Sequence, residues 1–226
     1  SIDEAFLDLA GTQKLHRGSP AETLSLLQQE ILRDIGISVS IGLSGNKSLA
    51  KMASDRDKPN GFFVVGTNEA EDWLAPQPVS VLYGVGKSAI ARLNAIGVFT
   101  CDDLAKGNVK KLSAVLGSQT ITVMRLAKGI DPRPVVVERE TKTMSNETTF
   151  SLDLSDYTAL ETELEALCLK LSARLKSKGI AGGTVILKLK RANHKIITRS
   201  QTLKSRIDKA YKLFDIGCKL LANEVN

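Results

Sequence analysis

Histidine and cysteine are scarce in this sequence, and long apolar runs are missing from it. Its two histidines are His16 and His194, and its three cysteines, Cys101, Cys168 and Cys218, lie far apart. The number and spacing of the cysteines fit neither a zinc site nor a disulfide framework. With only two histidines, histidine-based metal binding or catalysis is nearly excluded. No apolar run could cross a membrane, and no charged and then apolar leader precedes the first residue. We therefore expect a soluble protein of the reducing cytoplasm that has no membrane partner.

Basic charge is distributed unevenly along the chain. The 226 residues carry a formal net charge of +6 at pH 7. Residues 1–140 contain 16 Lys and Arg against 16 Asp and Glu, whereas residues 141–226 contain 15 against 9. A chain of this length has room for two or three small domains. Its basic rear segment favours a polyanionic partner, although a merely solvated basic surface is the alternative interpretation.

Two adjacent carboxylates, Asp3 and Glu4, lie near the start of the chain. Apolar residues alternate through residues 1–9, which predicts a β-strand, and neighbouring side chains of a strand point to opposite faces. If the chain turns at Asp3, both carboxylates can converge on divalent cations such as Mg²⁺, which prefer oxygen ligands. A two-metal phosphoryl-transfer site needs carboxylates that bridge ions about 3.5–4 Å apart. The alternative is that both acids are simply exposed at a strand edge.

The following segment predicts a compact unit of strands and helices. Residues 20–35 have helical spacing of apolar residues, and residues 37–41 alternate as a strand, so with residues 1–9 they predict a βαβ-like unit. A helix of small residues follows from about residue 47 to residue 55. Lys58 lies at the edge of the turn that follows this helix. There its ammonium group could bind a triphosphate as a point charge. An exposed lysine in a turn is more often only solvated.

A helix, a Gly-x-Gly turn and a second helix are predicted over residues 78–96. The turn is Gly84-Val85-Gly86, and Lys87 opens the second helix. This helix-hairpin-helix pattern lets backbone N–H groups and a helix N-terminus approach a DNA phosphate. A plain helical hairpin is the alternative. A nucleotide-binding P-loop is excluded, because it requires glycine where Val81 stands.

The basic rear segment has the order β-α-β-β-α. The predicted elements are a strand over 144–150, a helix over 157–178, strands over 184–190 and 195–202, and a helix over 208–221. Alternation places Lys188 and Lys190 on the face opposite the leucines of their strand, with Arg199 on the neighbouring strand. A one-signed basic sheet face is suited to the phosphates of a duplex. A solvated sheet face is the less specific alternative.

Several motifs together resemble the palm of Y-family DNA polymerases, in the branch that contains bacterial DNA polymerase IV and polymerase kappa. They are SIDEAFLD at residues 1–8, NK-x-LAK-x-ASD at residues 46–55 and KPNG at residues 58–61. The resemblance implies a multidomain α+β fold: a C-terminal part of the palm with a βαβ core (1–66), an all-helical thumb with the helix-hairpin-helix (67–135), a linker (136–142) and a βαββα little finger without its last strand (143–226). A second helical hairpin is predicted with its turn at residues 116–120, before a helix over residues 121–128. A glycine is frequent in this family where Thr120 stands, so phosphate contact at this second turn is not expected.

The resemblance also implies a chemistry for named residues. Asp3 would bridge two Mg²⁺ ions, Glu4 would hold the ion that activates the primer 3′-hydroxyl, and Lys58 would contact the incoming triphosphate. The implied DNA contacts are Gly84, Val85, Gly86, Lys87, Lys188, Lys190 and Arg199. The implied partners are a primer–template duplex, deoxynucleoside triphosphates and, for the intact protein, a sliding clamp. The implied function is error-prone translesion DNA synthesis in the bacterial cytoplasm, near the nucleoid.

Two other functions stay open at this point. The family's opening palm strand with its own metal-binding Asp, its fingers and its clamp-binding tail are not found in the sequence. The chain alone is therefore expected to be a catalytically incompetent DNA-binding fragment. The carboxylates could also belong to another two-metal nucleotidyl transferase or a cyclase. A small-molecule cyclase has no need to bind a duplex, so the helix-hairpin-helix and the basic rear segment argue against it.

Overall fold

The structure is a computed structural model that describes residues 3–138 and 140–225, except for the side chain of residue 225. The chain forms two compact units, residues 1–137 and residues 138–226. We call them the first and the second unit. The division falls inside the segment predicted as a linker, residues 136–142. Among the described residues, none of the helices combines the length and the apolar character that crossing a membrane requires.

The first unit combines one small parallel sheet with short helices. In chain order the elements are α1 (Gln13–His16), α2 (Pro20–Ile35), β1 (Ile41–Ser44), α3 (Lys47–Ser54), β2 (Phe62–Val65), α4 (Ala70–Leu74), α5 (Lys87–Ala95), α6 (Cys101–Lys106), α7 (Val109–Leu116) and α8 (Thr120–Ala127). Three 3₁₀ turns lie between them, at Thr67–Glu69, Val79–Val81 and Gly117–Gln119. Strands β1 and β2 pair in parallel, with Ile41 opposite Phe62. Helix α3 makes the crossover between them.

Helix α2 begins and ends as the sequence predicts. Ser19 and Glu22 form a reciprocal capping box: the Ser19 N–H donates to Glu22 Oε2 over 2.7 Å, and the Glu22 N–H donates to Ser19 Oγ over 3.3 Å. Pro20 occupies the first turn, where its missing N–H has no intrahelical role. Gly36 ends the helix in the left-handed conformation, with φ of 77°. These signals are local in sequence, which explains why the helix was predictable.

The βαβ unit differs from the predicted one. Residues 3–9 form no strand, and β1 covers Ile41–Ser44 rather than residues 37–41. Alternation indicates an extended chain, but a strand also requires a partner backbone, and only the β1–β2 pair supplies one in the described part of this unit. Gly42 fixes where α3 packs on β1, because a Cβ atom there would overlap Ala50 O and Ser54 N of that helix.

One hydrophobic core joins the sheet of the first unit to its later helices. Its buried residues include Leu49 of α3, Val65 of β2, Leu74 of α4, Leu104 of α6 and Leu126 of α8. The predicted boundary between residues 66 and 67 does not divide this core. The proposed division of the first unit into two domains stays a prediction about the family, since the two parts pack as one body here.

The second unit packs a two-stranded antiparallel sheet against two helices. Its elements are α9 (Tyr157–Ser177), β3 (Gly182–Lys190), β4 (Ile196–Ile207) and α10 (Ala210–Val225). The core contains Cys168 and Leu175 of α9, Ile207 of β4, and Leu213 and Ile216 of α10. The long helix, the hairpin and the last helix are confirmed, and the α+β class is confirmed for the chain.

The strand predicted over residues 144–150 does not form. This segment lies on α9 instead of joining the sheet: Met144 packs on the core, and the Asn146 amide donates to Leu167 O over 3.5 Å. Arg174 of α9 donates to Ser145 O over 2.7 Å. The Arg174 side chain therefore satisfies the Ser145 carbonyl, which a neighbouring strand would otherwise pair. The second unit has the order α-β-β-α in its described residues.

Candidate active site and nucleic-acid interface

Helix α3 positions the start of the described chain. Asn46 caps the helix, because its Oδ1 accepts the N–H of Leu49 over 3.0 Å. Lys51 Nζ lies 3.1 Å from Glu4 Oε1, and Lys47 Nζ lies 5.0 Å from the centre of the Phe6 ring. Lys47 and Lys51 are one helical turn apart and lie on the same face. Two contacts, an ion pair and a cation–π contact, thus hold the segment that carries Glu4 against α3.

Four charged side chains form a continuous series of ion pairs, which we call the Glu4–Lys58 ion series. Lys51 bonds both Glu4, at 3.1 Å, and Asp55, at 2.8 Å. Asp55 also pairs with Lys58 at 2.5 Å. The side chain of Lys51 is 15% exposed, whereas those of Glu4, Asp55 and Lys58 are 40–53% exposed. The two inner members lie on α3 and just after it, and the two outer members are the predicted metal ligand and the predicted triphosphate contact.

The inner pair stays ionised at neutral pH. Burial alone would lower the pKa of Lys51, but hydrogen bonds to Asp55 and Glu4 outweigh it and raise that pKa. Burial would raise the pKa of Asp55, but hydrogen bonds from Lys51 and Lys58 outweigh it and lower that pKa. Neither Lys51 nor Asp55 was predicted from the sequence to be part of the site. Their spacing of four residues on a predicted helix was the signal that could have identified the pair.

Asp3 and Glu4 are both exposed, and the chain bends at Asp3. Carboxylate oxygens of this kind suit Mg²⁺, which commonly takes one or two carboxylates together with substrate phosphates. In residues 3–138 and 140–225, no group of three or more His, Cys, Asp or Glu side chains is arranged to hold a metal ion. The third acid of this segment, Asp8, accepts the N–H of Ala10 over 3.0 Å. Asp3 and Glu4 therefore remain the candidate ligands.

A buried carboxylate holds the N-terminus of α3. Asp131 Oδ2 accepts the N–H of Ser48 over 3.1 Å, and the guanidinium of Arg133 donates two hydrogen bonds to the same carboxylate at 2.7 and 2.8 Å. The side chain of Asp131 is 1% exposed. Hydrogen bonding from Arg133 is the main cause that lowers the pKa of Asp131. A negative charge at a helix N-terminus is favourable, so this contact fixes the helix that carries Lys51.

The Gly-x-Gly turn adopts a conformation that suits close backbone approach. Gly84 has φ of +97°, and Gly86 precedes the first residue of α5. A Cβ atom added at either glycine would meet nothing within 4 Å. Lys87 is exposed at the first position of α5, where the N–H groups have no partner within the helix. This helix start can therefore receive a phosphate.

Two details of the predicted helix-hairpin-helix are different. Its first helix, predicted over residues 78–83, is only the 3₁₀ turn Val79–Val81, because the chain becomes extended at Leu82, with φ of −66° and ψ of 117°. The N–H of Val85 donates to Leu82 O over 3.1 Å, so that N–H is not available to a phosphate. At the second turn, Thr120 is 2% exposed and its hydroxyl donates to Gly117 O over 2.7 Å.

Lys188 and Lys190 lie on the exposed face of the β3–β4 sheet. Their strand alternates exposed and half-buried side chains, and the cross-strand partners of the two lysines are Thr198 and Ile196. Lys188 Nζ lies 3.6 Å from Glu147 Oε2, and both side chains are largely exposed. The predicted position of these two lysines relative to the sheet is confirmed, and their contact with DNA stays a prediction.

Arg199 lies on the other face, so the expectation that it joins the two lysines is wrong. It is directly opposite Leu187, and directly paired residues of an antiparallel sheet share a face. Arg199 Nε lies 2.6 Å from Glu224 Oε1, and Glu224 is 9% exposed. The register, which alternation within one strand cannot reveal, thus turns Arg199 toward α10.

Two other basic residues take its place on the lysine face. Strand β4 continues to residue 207, with Leu203 and Ile207 packed into the core, and Lys204 and Arg206 are exposed between them. The β3–β4 register shifts opposite residues 203–206, but Leu203 and Ile207 both face the core, so their neighbours Lys204 and Arg206 point away from it, as Lys188 and Lys190 do. We call these four residues the basic strand face. The apolar positions 203 and 207 were the signal that could have extended the predicted strand.

Comparisons with known proteins give a consistent family. The model of the impB/mucB/samB family matches residues 1–55, and the model of the C-terminal domain of the same family matches residues 141–225. A protein of Caulobacter vibrioides named DNA polymerase IV is 45% identical over 99% of this chain and 56% of its own length. A protein of the same name from Brucella melitensis is 42% identical over the whole chain and 51% of its own length.

A solved structure has the same fold. It is titled Y-family DNA polymerase chimera Dbh-Dpo4(243-245)-Dbh, and it matches 99% of this chain and 64% of its own with a TM-score of 0.79 at 24% identity. The chain spans about half the length of the curated relatives it matches. The two family models together cover more than half of the chain. These findings confirm the resemblance to Y-family DNA polymerases, and the chain belongs to the impB/mucB/samB family.

Proposed function

We propose that this chain supplies part of the palm, the thumb and the little finger of an error-prone translesion DNA polymerase. The complete enzyme would transfer nucleotides to a primer under the direction of a template, with two Mg²⁺ ions. Support comes from the relatives named DNA polymerase IV, which match nearly the whole chain. Because the chain spans about half of their length, activity, substrates and the sliding clamp as a partner are proposed for the complete protein.

The observation that carries the proposal is the Glu4–Lys58 ion series. Residues 1–9 and the turn at residue 58 are far apart in sequence, and the family resemblance implies a role in nucleotide transfer for each. The structure joins them through Lys51 and Asp55, with distances of 3.1, 2.8 and 2.5 Å along the series. A carboxylate for the metal ions and a cation for the triphosphate are needed at one place, because the two ions and the triphosphate bind together.

The residues of the chain have distinct tasks in the proposed reaction. Asp3 and Glu4 would hold Mg²⁺, which when bound activates the primer hydroxyl and stabilises charge on the phosphates. Lys51 orients Glu4, and Lys58 attracts the triphosphate of the incoming nucleotide. Much of the rate enhancement in such a transfer comes from positioning and electrostatic stabilisation, which these residues provide.

Duplex DNA is the proposed partner of two separate surfaces. The basic strand face presents four cations, which favours contacts with the phosphates of a DNA duplex of any sequence. The turn at Gly84 and Gly86, with Lys87, offers backbone N–H groups at a helix start. A cytoplasmic location near the nucleoid is part of the same proposal.

Primer extension by the full-length natural protein tests this function. We expect Mg²⁺-dependent, template-directed extension, also opposite an abasic site, and its loss in Asp3→Asn and Glu4→Gln variants. Lys58→Met should raise the KM for the nucleotide more than it lowers kcat, because the lysine binds the triphosphate. Asp8→Asn is the matched control, since Asp8 bonds to the chain at Ala10, and it should retain activity. Full activity in the Asp3 and Glu4 variants would disprove the assigned site.

A second candidate function applies to the 226-residue chain by itself, which is DNA binding without nucleotide transfer. It is favoured by the basic strand face and the Gly-x-Gly turn, which both lie within the described residues. Fluorescence anisotropy on a labelled primer–template, beside primer extension with the same sample, separates the two functions. Extension that Asp3→Ala abolishes would show that this chain alone is a polymerase. Binding without extension would support the second function.

A further inference from the structure

The Glu4–Lys58 ion series alternates in sign, and its members are not equivalent. Lys51 and Asp55 are four residues apart at the end of α3, and each contacts two partners of opposite charge. Glu4 and Lys58 stand at the ends of the series and are more exposed than Lys51. Lys51 therefore interacts with both Glu4 and Asp55, and Asp55 interacts with both Lys51 and Lys58.

We propose that Lys51 and Asp55 are positioning residues that set how available Lys58 is to a triphosphate. This inference rests on the proposed function, because it assigns a regulator to the lysine that binds the triphosphate. An anion that binds Lys58 must compete with Asp55 for the same ammonium. Lys51 weakens that competition, because it neutralises part of the Asp55 carboxylate from the other side.

The same competition predicts opposite effects for the two inner residues. Without the Lys51 charge, Asp55 interacts with Lys58 alone, holds it more strongly and so weakens triphosphate binding. Without the Asp55 charge, Lys58 has no internal competitor, and triphosphate binding becomes tighter. Once Asp55 is neutral, loss of Lys51 has little further effect on Lys58. This dependence of one substitution on the other distinguishes competition from a general electrostatic effect, which is additive.

Equilibrium titration of the 226-residue chain with dATP in EDTA tests the inference, with NMR chemical shifts as the readout. EDTA removes divalent cations, so the titration reports contact with Lys58 and not metal loading at Glu4. We expect Lys51→Met to weaken dATP binding about threefold and Asp55→Asn to tighten it about threefold, as for partly exposed ion pairs. In the Asp55→Asn background, Lys51→Met should change the affinity less than about 1.5-fold.

The chain offers matched controls for each charge change. Lys47→Met removes the same charge one turn earlier on α3, and Asp57→Asn removes an acid from the turn that holds Lys58. Both controls should change dATP affinity less than the corresponding inner variant. Lys51→Arg keeps the charge and should restore most of the affinity. A thermal melt of each variant, followed by circular dichroism, identifies any variant that fails to fold and removes it from the comparison.

The outcomes separate this inference from the function on which it rests. If dATP does not bind, or if Lys58→Met binds it as tightly as the parent chain, the assigned role of Lys58 is wrong and the inference falls with it. If Lys58→Met weakens binding but the Lys51 and Asp55 effects are additive, only the inference is overturned. It is also overturned if Lys47→Met equals Lys51→Met.

Discussion

The paired charges of the first unit and the basic strand face of the second unit are held in different ways. In the first unit, key cations and carboxylates pair with one another: Asp131, 1% exposed, is bonded to Arg133, and Lys51, 15% exposed, joins Glu4 to Asp55. In the second unit, the basic strand face is turned to solvent, and the Lys188 side chain is 55% exposed. Buried or partly buried pairs define positions, whereas exposed charges of one sign create a field.

This difference predicts which property each region controls. Substitutions at the paired charges of the first unit should change stability or the geometry of the site, and salt should affect them little. Substitutions on the basic strand face should change affinity for a polyanion, and salt should affect them strongly. The following predictions test this contrast, from the largest expected effect to the smallest.

The largest effect should come from Gly42→Ala, which would destabilise the first unit by about 3 kcal/mol, because the added Cβ overlaps the backbone of α3. Trp73 is the only tryptophan, and it lies in the first unit with its ring centre 6.0 Å from that of Phe63. Urea unfolding followed by Trp73 fluorescence therefore reports on this unit. Gly183→Ala in β3 is the control, since its Cβ would lie 4.0 Å from Arg206 Cγ. An equal shift of the Trp73 transition in both variants would contradict the steric explanation for Gly42.

Asp131→Asn should destabilise the first unit by about 2 kcal/mol, because it removes a charged acceptor from a buried pair. The matched control is Asp34→Asn, since Asp34 pairs with Arg33 at 2.6 Å but both side chains are more than half exposed. The control should have little effect on stability, because an exposed ion pair contributes little.

The Asp131 effect should depend on pH with a definite sign. Hydrogen bonding from Arg133 lowers the pKa of Asp131 in the folded chain. Its stabilisation is therefore present above the usual pKa of Asp and is lost as pH falls through the lower folded value. In urea titrations at several pH values, the stabilities of parent and variant should begin to converge as pH falls below about 4. A difference that stays constant at low pH would contradict the ionic role.

Replacing Lys188 and Lys190 together with alanine should flatten the salt dependence of duplex affinity by up to about two phosphate equivalents. Arg199→Ala should leave the slope nearly unchanged and instead destabilise the second unit, because Glu224, 9% exposed, loses its 2.6 Å partner. Anisotropy titrations at several salt concentrations, with a thermal melt of each variant, measure both effects. A flatter slope in the Arg199 variant than in the lysine variant would reverse this assignment.

The smallest effect is expected at the Gly-x-Gly turn. Gly86→Ala should lower duplex affinity a few fold and change the salt slope by about one equivalent or less, because backbone N–H groups carry little charge. Gly84→Ala should act in the same direction, with an added conformational cost at φ of +97°. Gly97→Ala is its matched control, since Gly97 also has positive φ, at +81°, and open space around its Cβ. Equal loss of affinity in the Gly84 and Gly97 variants would indicate a folding effect only.

Helices were more predictable than strands in this chain. The bounds of α2, α8 and α9 lie within one residue of the predicted ones, because capping residues, apolar spacing and glycine stops act within a few residues. The strands over residues 1–9, 37–41 and 144–150 were misplaced or do not form in the described residues. Pairing decides a strand, and its partner can lie anywhere in the chain.

The sequence by itself determined the asymmetry of charge, most of the helices, and the candidate roles of Asp3, Glu4 and Lys58 through the resemblance of their motifs. The tertiary structure decided which of these groups meet. It placed Lys51 between Glu4 and Asp55, and it set the β3–β4 register that turns Arg199 away from Lys188. Local signals specify local backbone conformation, but contacts between distant residues depend on how helices and strands pack, and a one-residue change of register moves a side chain to the other face.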